Sequence, residues 1–392
     1  MIDYVCSTQP AGASHRVSRG CQCLQHIPVR LIGWRAPAAS PVVISRFIFA
    51  VVLAFPGCIS AARGSDTDSS CYRVFEDRDG NGRQSPGERG LAGIRVSDGV
   101  ELATTDTRGH FQLSPVPGRT LFVIKPAGFE APRRTDELPG FRAHGPRATQ
   151  QAPRDDNQSG KADACPRFGL RRAPRRVQPL DVLVFADPQP KSLQDVDYFD
   201  RDIVQPLLRS VSPKRPAADL GLSLGDIVND DLSLLPAVAH VTAQLHTPWL
   251  YVAGNHDMDL GATRDEDALQ SFRHQFGPDT FAWEEHAANF VVLDDVVYLP
   301  GQRPSYIGGL RDDQFTFLER YLRTADPRRL LVIAVHIPLF PDGGQTFRVA
   351  DRLRLFALLK PFPKVLVLSG HGHVQRHVFH DASTGLTGAP LL

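Results

Sequence analysis

Val365-Leu366-Val367-Leu368-Ser369-Gly370-His371-Gly372-His373 is the stretch whose reading decides the fold. Four apolar residues of strand length run without polar alternation into a short turn. Two histidines follow, one residue apart. A run apolar throughout fits a strand covered on both faces. The turn after it places both imidazoles beyond the carboxyl end of that strand, where open α/β sheets hold their ligands. The same pattern recurs upstream. Residues 182–185 lead into Ala186-Asp187-Pro188-Gln189, and residues 220–224 into Gly225-Asp226-Ile227-Val228-Asn229-Asp230. Residues 249–252 lead into Gly254-Asn255-His256-Asp257, and residues 330–335 into His336-Ile337-Pro338. A further apolar run lies at 290–293. Apolar residues at three- and four-residue spacing predict helices over 202–208, 234–244, 313–322 and 352–359. Strands alternating with helices give an α/β domain over residues 180–392.

Each motif alone is weak, because an Asp after a strand is commonly a turn or helix-cap residue. A lone histidine such as His336 is commonly a hydrogen-bonded core residue. Five such motifs in one order, each after an apolar strand, point to a metal or phosphate site. As an ordered set they resemble the calcineurin-like metallophosphoesterases, whose pattern is D-x-H, GDxx[DN], GNH[DE], an isolated His and GHxH. The resemblance covers residues 180–375, with Gln189 standing where many members have His. It implies a layered β-sandwich flanked by helices. It also implies two metal sites: Asp187, Gln189 and His373 on the first, Asn255, His336 and His371 on the second, with Asp226 bridging.

The chemistry of these residue types agrees with that division. A carboxylate can bridge two cations through its two oxygens, while imidazole and amide oxygen add ligands without charge. The resulting cluster stays positive and attracts a phosphate ester. Bound metals lower the pKa of water from about 15.7 toward 7, which supplies a metal-bridging hydroxide as nucleophile. An amide oxygen from Gln189 makes the first site richer in hard ligands and favours Mn, Fe or Mg over Zn. The metal expectation is therefore two divalent ions drawn from Mn, Fe or Zn. His256 follows a proposed ligand and is the candidate general acid, and Asp257 is expected to orient it.

Upstream, Asp77-Arg78-Asp79-Gly80-Asn81-Gly82 with Glu88 six residues on fits the D-x-[DN]-x-[DN]-G-x5-E calcium loop. Asp77, Asp79, Asn81 and Glu88 would offer side-chain oxygens and Arg83 its carbonyl. An Asx-rich surface turn is the alternative. The loop opens a small all-β sandwich module, placed at 63–130, with strands expected at 71–75, 93–96, 111–113 and 121–124. Secreted relatives of the same family carry a similar module. Residues 131–179, rich in Pro, Arg, Gly and Gln, read as a linker.

Residues 1–62 read as a leader. Arg46, an apolar run at 47–55 and Ser60-Ala61-Ala62 have the layout of a secretory signal peptide spanning about residues 44–62. A secreted or periplasmic protein is expected, with lipid attachment at Cys58 the less favoured alternative and no transmembrane span in the mature chain. Cleavage would leave Cys71 and Cys165, which in an oxidising compartment are candidates for a disulfide. The family's secreted relatives continue into another β domain after GHxH, so the phosphoesterase domain is expected to be C-terminally truncated.

The chain has 392 residues and a formal net charge of +1, which disfavours a dedicated nucleic-acid ligand. The expected function is metal-dependent hydrolysis of a small phosphate ester. Two alternatives stand beside it: hydrolysis of nucleotide or lipid diphosphates with the same metals, and a non-catalytic, calcium-stabilised surface protein with a defective phosphoesterase fold.

Overall fold

The structure is a computed structural model. It describes residues 72–376 apart from 114–115, 117, 135–137, 145–165, 175–178, 211–215 and 341–346, together with strands 3–7 and 22–29. No regular element was expected before residue 41. Two strands form there, β1 (Asp3–Ser7) and β2 (Gln22–Val29), paired antiparallel. The predicted cleavage site, Cys58, Cys71 and Cys165 lie outside the described residues.

The N-terminal module contains β3 (Arg73–Glu76), β4 (Arg95–Ser97), β5 (Leu102–Thr104), β6 (Thr120–Val123), β7 (Phe129–Glu130), β8 (Arg142–His144) and β9 (Arg167–Arg172). They form two sheets, ordered β3-β9-β7 and β5-β4-β6-β8. Val74, Val96, Leu121, Val123, Phe168 and Leu170 are among the residues of the core between them. The linker expected at 131–179 is corrected by β8 and β9, which complete the two sheets. Their arginines hid the strand pattern. Residues 111–113 form no strand; His110 contributes a single bridge to Arg73.

β6 explains how the module is attached. Side chains alternate between the two faces of a strand. Leu121 and Val123 enter the module's own core, while Phe122 and Ile124 join the core of the large domain. Phe122 meets Phe281 and Phe317 edge-on at 6.3 and 6.0 Å. Lys125 is 2% exposed, bridges backbone to Trp283 and places its ammonium 2.5 Å from Glu285. Arg95 reaches Glu284 at 2.5 Å.

The large domain begins at β10 (Leu180–Phe185). Helices α1 (Leu193–Phe199) and α2 (Gln205–Ser210) flank a short π-helical turn, and β11 (Leu220–Leu224) follows. Next come α3 (Leu235–Ala243), β12 (Trp249–Val252), α4 (Gln270–Phe276), β13 (Phe281–Glu284) and β14 (Ala288–Val292). A hairpin of β15 (Val296–Tyr298) and β16 (Tyr306–Gly308) precedes α5 (Asp312–Leu322), β17 (Leu330–Ala334), α6 (Val349–Leu359) and β18 (Val365–Leu368). One sheet has the order β1-β2-β10-β11-β12, with β10, β11 and β12 parallel. The other has the order β13-β14-β17-β18, with β14, β17 and β18 parallel. Apolar side chains of β10, among them Val182 and Val184, face those of β14, β17 and β18 across the interlayer space, including Phe290, Val332 and Leu366. The carboxyl ends of β10, β11, β12, β17 and β18 carry the five motifs, and all five meet at one edge of the sandwich.

Candidate metal centre

The loops converge because each motif's polar groups hold the next loop. Asp187 turns back after β10, and its two carboxylate oxygens accept the N–H of His371 at 2.9 and 3.0 Å. Asp226 follows β11. Its Oδ1 accepts the N–H of His256 at 2.9 Å, and its Oδ2 accepts the amide of Gln189 at 2.9 Å. The packing is close enough to require glycine. A Cβ on Gly254 would lie 2.1 Å from the backbone nitrogen of Asp226, and one on Gly370 would lie 2.6 Å from Asp187 Oδ2.

Backbone conformation is unusual here as well. Among the described residues, Asp187, Gln189, Asp226, Asp230, His371 and His373 all have positive φ, between 42° and 68°. Side-chain-bearing residues adopt this region rarely, and such strain concentrates at functional sites.

Two groups of ligand atoms result. Asp226, His336 and His371 each offer an atom within 4.8 Å of the others; so do Asp187, Asp226 and His373. Asp226 belongs to both. Asn255 adds its Oδ1 to the first of these groups, 3.1 Å from His336 Nε2. His336 is fully buried, and its Nδ1–H donates to the carbonyl of Leu224 at 2.8 Å. That bond directs Nε2 at Asp226 Oδ1 (3.3 Å) and at His371 Nδ1 (3.1 Å). A buried cluster of acceptor atoms with few donors suits a cation, so the residues fit the two divalent metals that the motif set implies.

The electrostatics point the same way. Burial opposes charge on His336, but Asp226 and Asp187 outweigh it and raise its pKa to about 10. Burial and the neighbouring His336 lower His371 to about 4. Burial, reinforced by Asp226, raises Asp187. Asp187 and Asp226 thus bring two carboxylates to the same buried group of imidazoles.

Gln189 reaches the cluster through its amide nitrogen, whereas the sequence reading put its oxygen on the first metal. A half-turn of the amide exchanges the two atoms. The expectation for Asp257 is corrected outright. Its side chain is wholly buried and is engaged by backbone instead, accepting N–H bonds from Gly254 (2.8 Å), Ile227 (3.1 Å) and Val228 (3.1 Å). Asp230 is the partner of His256, with Oδ1 2.8 Å from Nδ1. The side chain of His256 is 31% exposed.

Sequence reasoning also missed Asp295. It is fully buried, and its carboxylate accepts the N–H groups of His336 (2.9 Å) and Ile337 (3.1 Å). The signal was a pair of acids, Asp294-Asp295, directly behind an apolar strand. In the module, Asp77, Asp79 and Glu88 bring ligand atoms within 4.8 Å of one another. Asp77 accepts the N–H groups of Gly80, Asn81 and Gly82, and Glu88 those of Arg78 and Ser85.

The chain is similar to several known proteins. A 3',5'-cyclic adenosine monophosphate phosphodiesterase from Pseudomonas aeruginosa is 30% identical over 177 residues, covering 43% of this chain and 60% of that protein. A serine/threonine-protein phosphatase from Danio rerio is 29% identical over 144 residues, covering 35% of this chain and 45% of that protein. The chain thus spans about half the length of these relatives. A solved dimetal phosphatase from Danio rerio overlaps 54% of this chain and 85% of its own, at a TM-score of 0.37 and 16% identity. The family profile for the N-terminal part of calcineurin-like phosphoesterases matches residues 78–155. The profile for the calcineurin-like phosphoesterase domain itself matches residues 180–375, half of the chain, and the chain belongs to that family.

Proposed function

We propose that this protein hydrolyses small phosphate esters in a metal-dependent reaction. The observation that carries the reading is the sharing of Asp226 between two groups of ligand atoms. Asp187, Gln189, Asp226 and His373 would hold one divalent ion, and Asp226, Asn255, His336 and His371 the other, with Mn, Fe or Zn as the candidates. Such a pair supplies a water of lowered pKa as nucleophile and draws charge from the phosphoryl oxygens. The chain's own residues do the rest. Asp226 and Asp187 fix the spacing of the loops, and Leu224 and Asp295 lock His336. His256 stands at the mouth, held through Nδ1 by Asp230, and its Nε2–H would protonate the leaving oxygen. The relatives include one protein named for a diester and one named for a phosphatase, so both classes of ester are candidate substrates.

The test is hydrolysis of p-nitrophenyl phosphate and bis-p-nitrophenyl phosphate by metal-free protein, before and after titration with Mn²⁺ or Zn²⁺. Turnover of at least one, appearing only with metal, is expected. Two bound metals with turnover of neither would overturn the proposal in favour of a binding protein.

Two further readings accompany it. A Ca²⁺ held by Asp77, Asp79, Asn81, Glu88 and the carbonyl of Arg83 would stiffen the module. Export through the 44–62 leader would place the enzyme in the periplasm or outside the cell. No helix among the described residues is long and apolar enough to cross a membrane.

A further inference from the structure

We propose that Tyr306 is a positioning residue for His371, and that the β15–β16 hairpin exists in part to bring its ring there. The inference rests on the reading of His371 as a metal ligand. It comes from comparing the two imidazoles of that site. His336 is oriented by a hydrogen bond: Leu224 takes its Nδ1–H, which leaves Nε2 facing the cluster. Metal-binding histidines ordinarily have such an acceptor for their other nitrogen. His371 turns Nδ1 to His336 at 3.1 Å, and its Nε2 is buried with no hydrogen-bond partner among the described residues. Among the described residues, no acceptor on Nε2 fixes the angle of this ring.

Packing does so instead. The His336 ring lies 4.9 Å away at 76°, and the Tyr306 ring lies 6.0 Å away at 86°. Near-perpendicular rings at these separations attract through their quadrupoles and resist rotation past one another. The hairpin is anchored where it must be for this purpose. The carbonyl of Asp295 accepts the N–H of Gly309 just past β16, while its carboxylate holds the backbone of His336 and Ile337. One residue thus ties the hairpin that carries Tyr306 to the loop that carries His336. His371 thus packs edge-on with two aromatic rings set on a common support.

Removal of the ring should free His371 to rotate and weaken the second metal site alone. The experiment titrates metal-free full-length protein with Mn²⁺ or Zn²⁺ against a competing chelator, which resolves two affinities. Tyr306→Leu should lose about 10- to 100-fold at one of the two affinities and leave the other unchanged, the range for lost supporting partners of metal ligands. Tyr306→Phe keeps the ring and should stay within about threefold of the parent. Equal affinities for Tyr306→Leu and the parent would overturn the inference. So would a Tyr306→Phe loss as large as that of Tyr306→Leu, which would assign the effect to the hydroxyl. Loss of both metals together in Tyr306→Leu would also overturn it, since that marks general damage. Failure of the parent protein itself to bind two metals would instead refute the metal-site reading beneath it.

Discussion

Replacement of Asp257 by alanine should damage the fold before it touches the chemistry. The carboxylate is completely buried and receives three backbone N–H groups, from Gly254, Ile227 and Val228. It joins the loop after β11 to the loop after β12. Alanine would leave all three donors buried with no acceptor. Hydrogen bonds to a charged group contribute about 1.5–3 kcal/mol each, and an orphaned buried donor costs about 1–3 kcal/mol. The three share one acceptor and do not add fully, which gives roughly 3–5 kcal/mol in total. That is a large part of the roughly 5–15 kcal/mol that keeps a domain folded. Asparagine is the informative companion. Its oxygen, placed at the Oδ2 position, still serves Gly254 and Ile227, but its amide then faces the N–H of Val228. The expected cost is roughly 1–3 kcal/mol. Thermal melts of the metal-free proteins should therefore order as parent, Asp257→Asn, Asp257→Ala, the last lower by on the order of 5–15 °C. Melting of Asp257→Ala within a degree or two of the parent, combined with loss of turnover, would refute this reasoning and return Asp257 to the role of orienting His256.

His256→Ala should retain both metals and the parent melting temperature while losing about 10²–10⁴-fold in turnover, most severely for esters with poor leaving groups; hydrolysis rates across a series of substituted phenyl phosphates measure this. Asp230→Asn should give a smaller loss with the same dependence on the leaving group, because it keeps a hydrogen bond to Nδ1 but removes the charge. Gly254→Ala forces a methyl group against Asp226, and elemental analysis should show both metals lost together, since the shared ligand is displaced. Ca²⁺ should raise the melting temperature of the parent, by about 2.7 kcal/mol of stabilisation at a hundred times its dissociation constant, and Asp77→Ala should abolish the rise.

The layered domain was readable because its strands are largely apolar runs, buried throughout at Leu220–Leu224 and half-buried after Val365 in the last strand. Runs such as Leu220–Leu224 and Val365–Leu368 carry no competing pattern, and each motif follows directly on its strand. Apart from β1 and β2, the elements that escaped reading are short or polar. β15 and β16 have three residues each, too few for any period to show. β8 and β9 carry arginines, which as letters suggest solvent; yet Arg142 is buried and donates to the carbonyl of Gln275 at 2.7 Å. At the site, residue types and spacing revealed the ligand set, but not the direction of each side chain. Asn255, His256 and Asp257 are consecutive in a turn and point three ways: to His336, to Asp230 and into the protein. Adjacency in sequence suggested the wrong partner for His256, and only the turn geometry identifies the right one.

The left-handed backbone at Asp187, Gln189, Asp226, Asp230, His371 and His373 bears on the evolutionary history of such a chain. At each of these positions glycine would be the more comfortable residue, by roughly 1–2 kcal/mol. Mutation would therefore move this edge of the sandwich toward glycine, with a gain in stability, in any lineage where the chemistry had ceased to matter. An idle descendant of this fold should be recognisable by glycines at these positions well before its strands change. Acids, amides and imidazoles at all six mean that this sequence still carries the cost of its site.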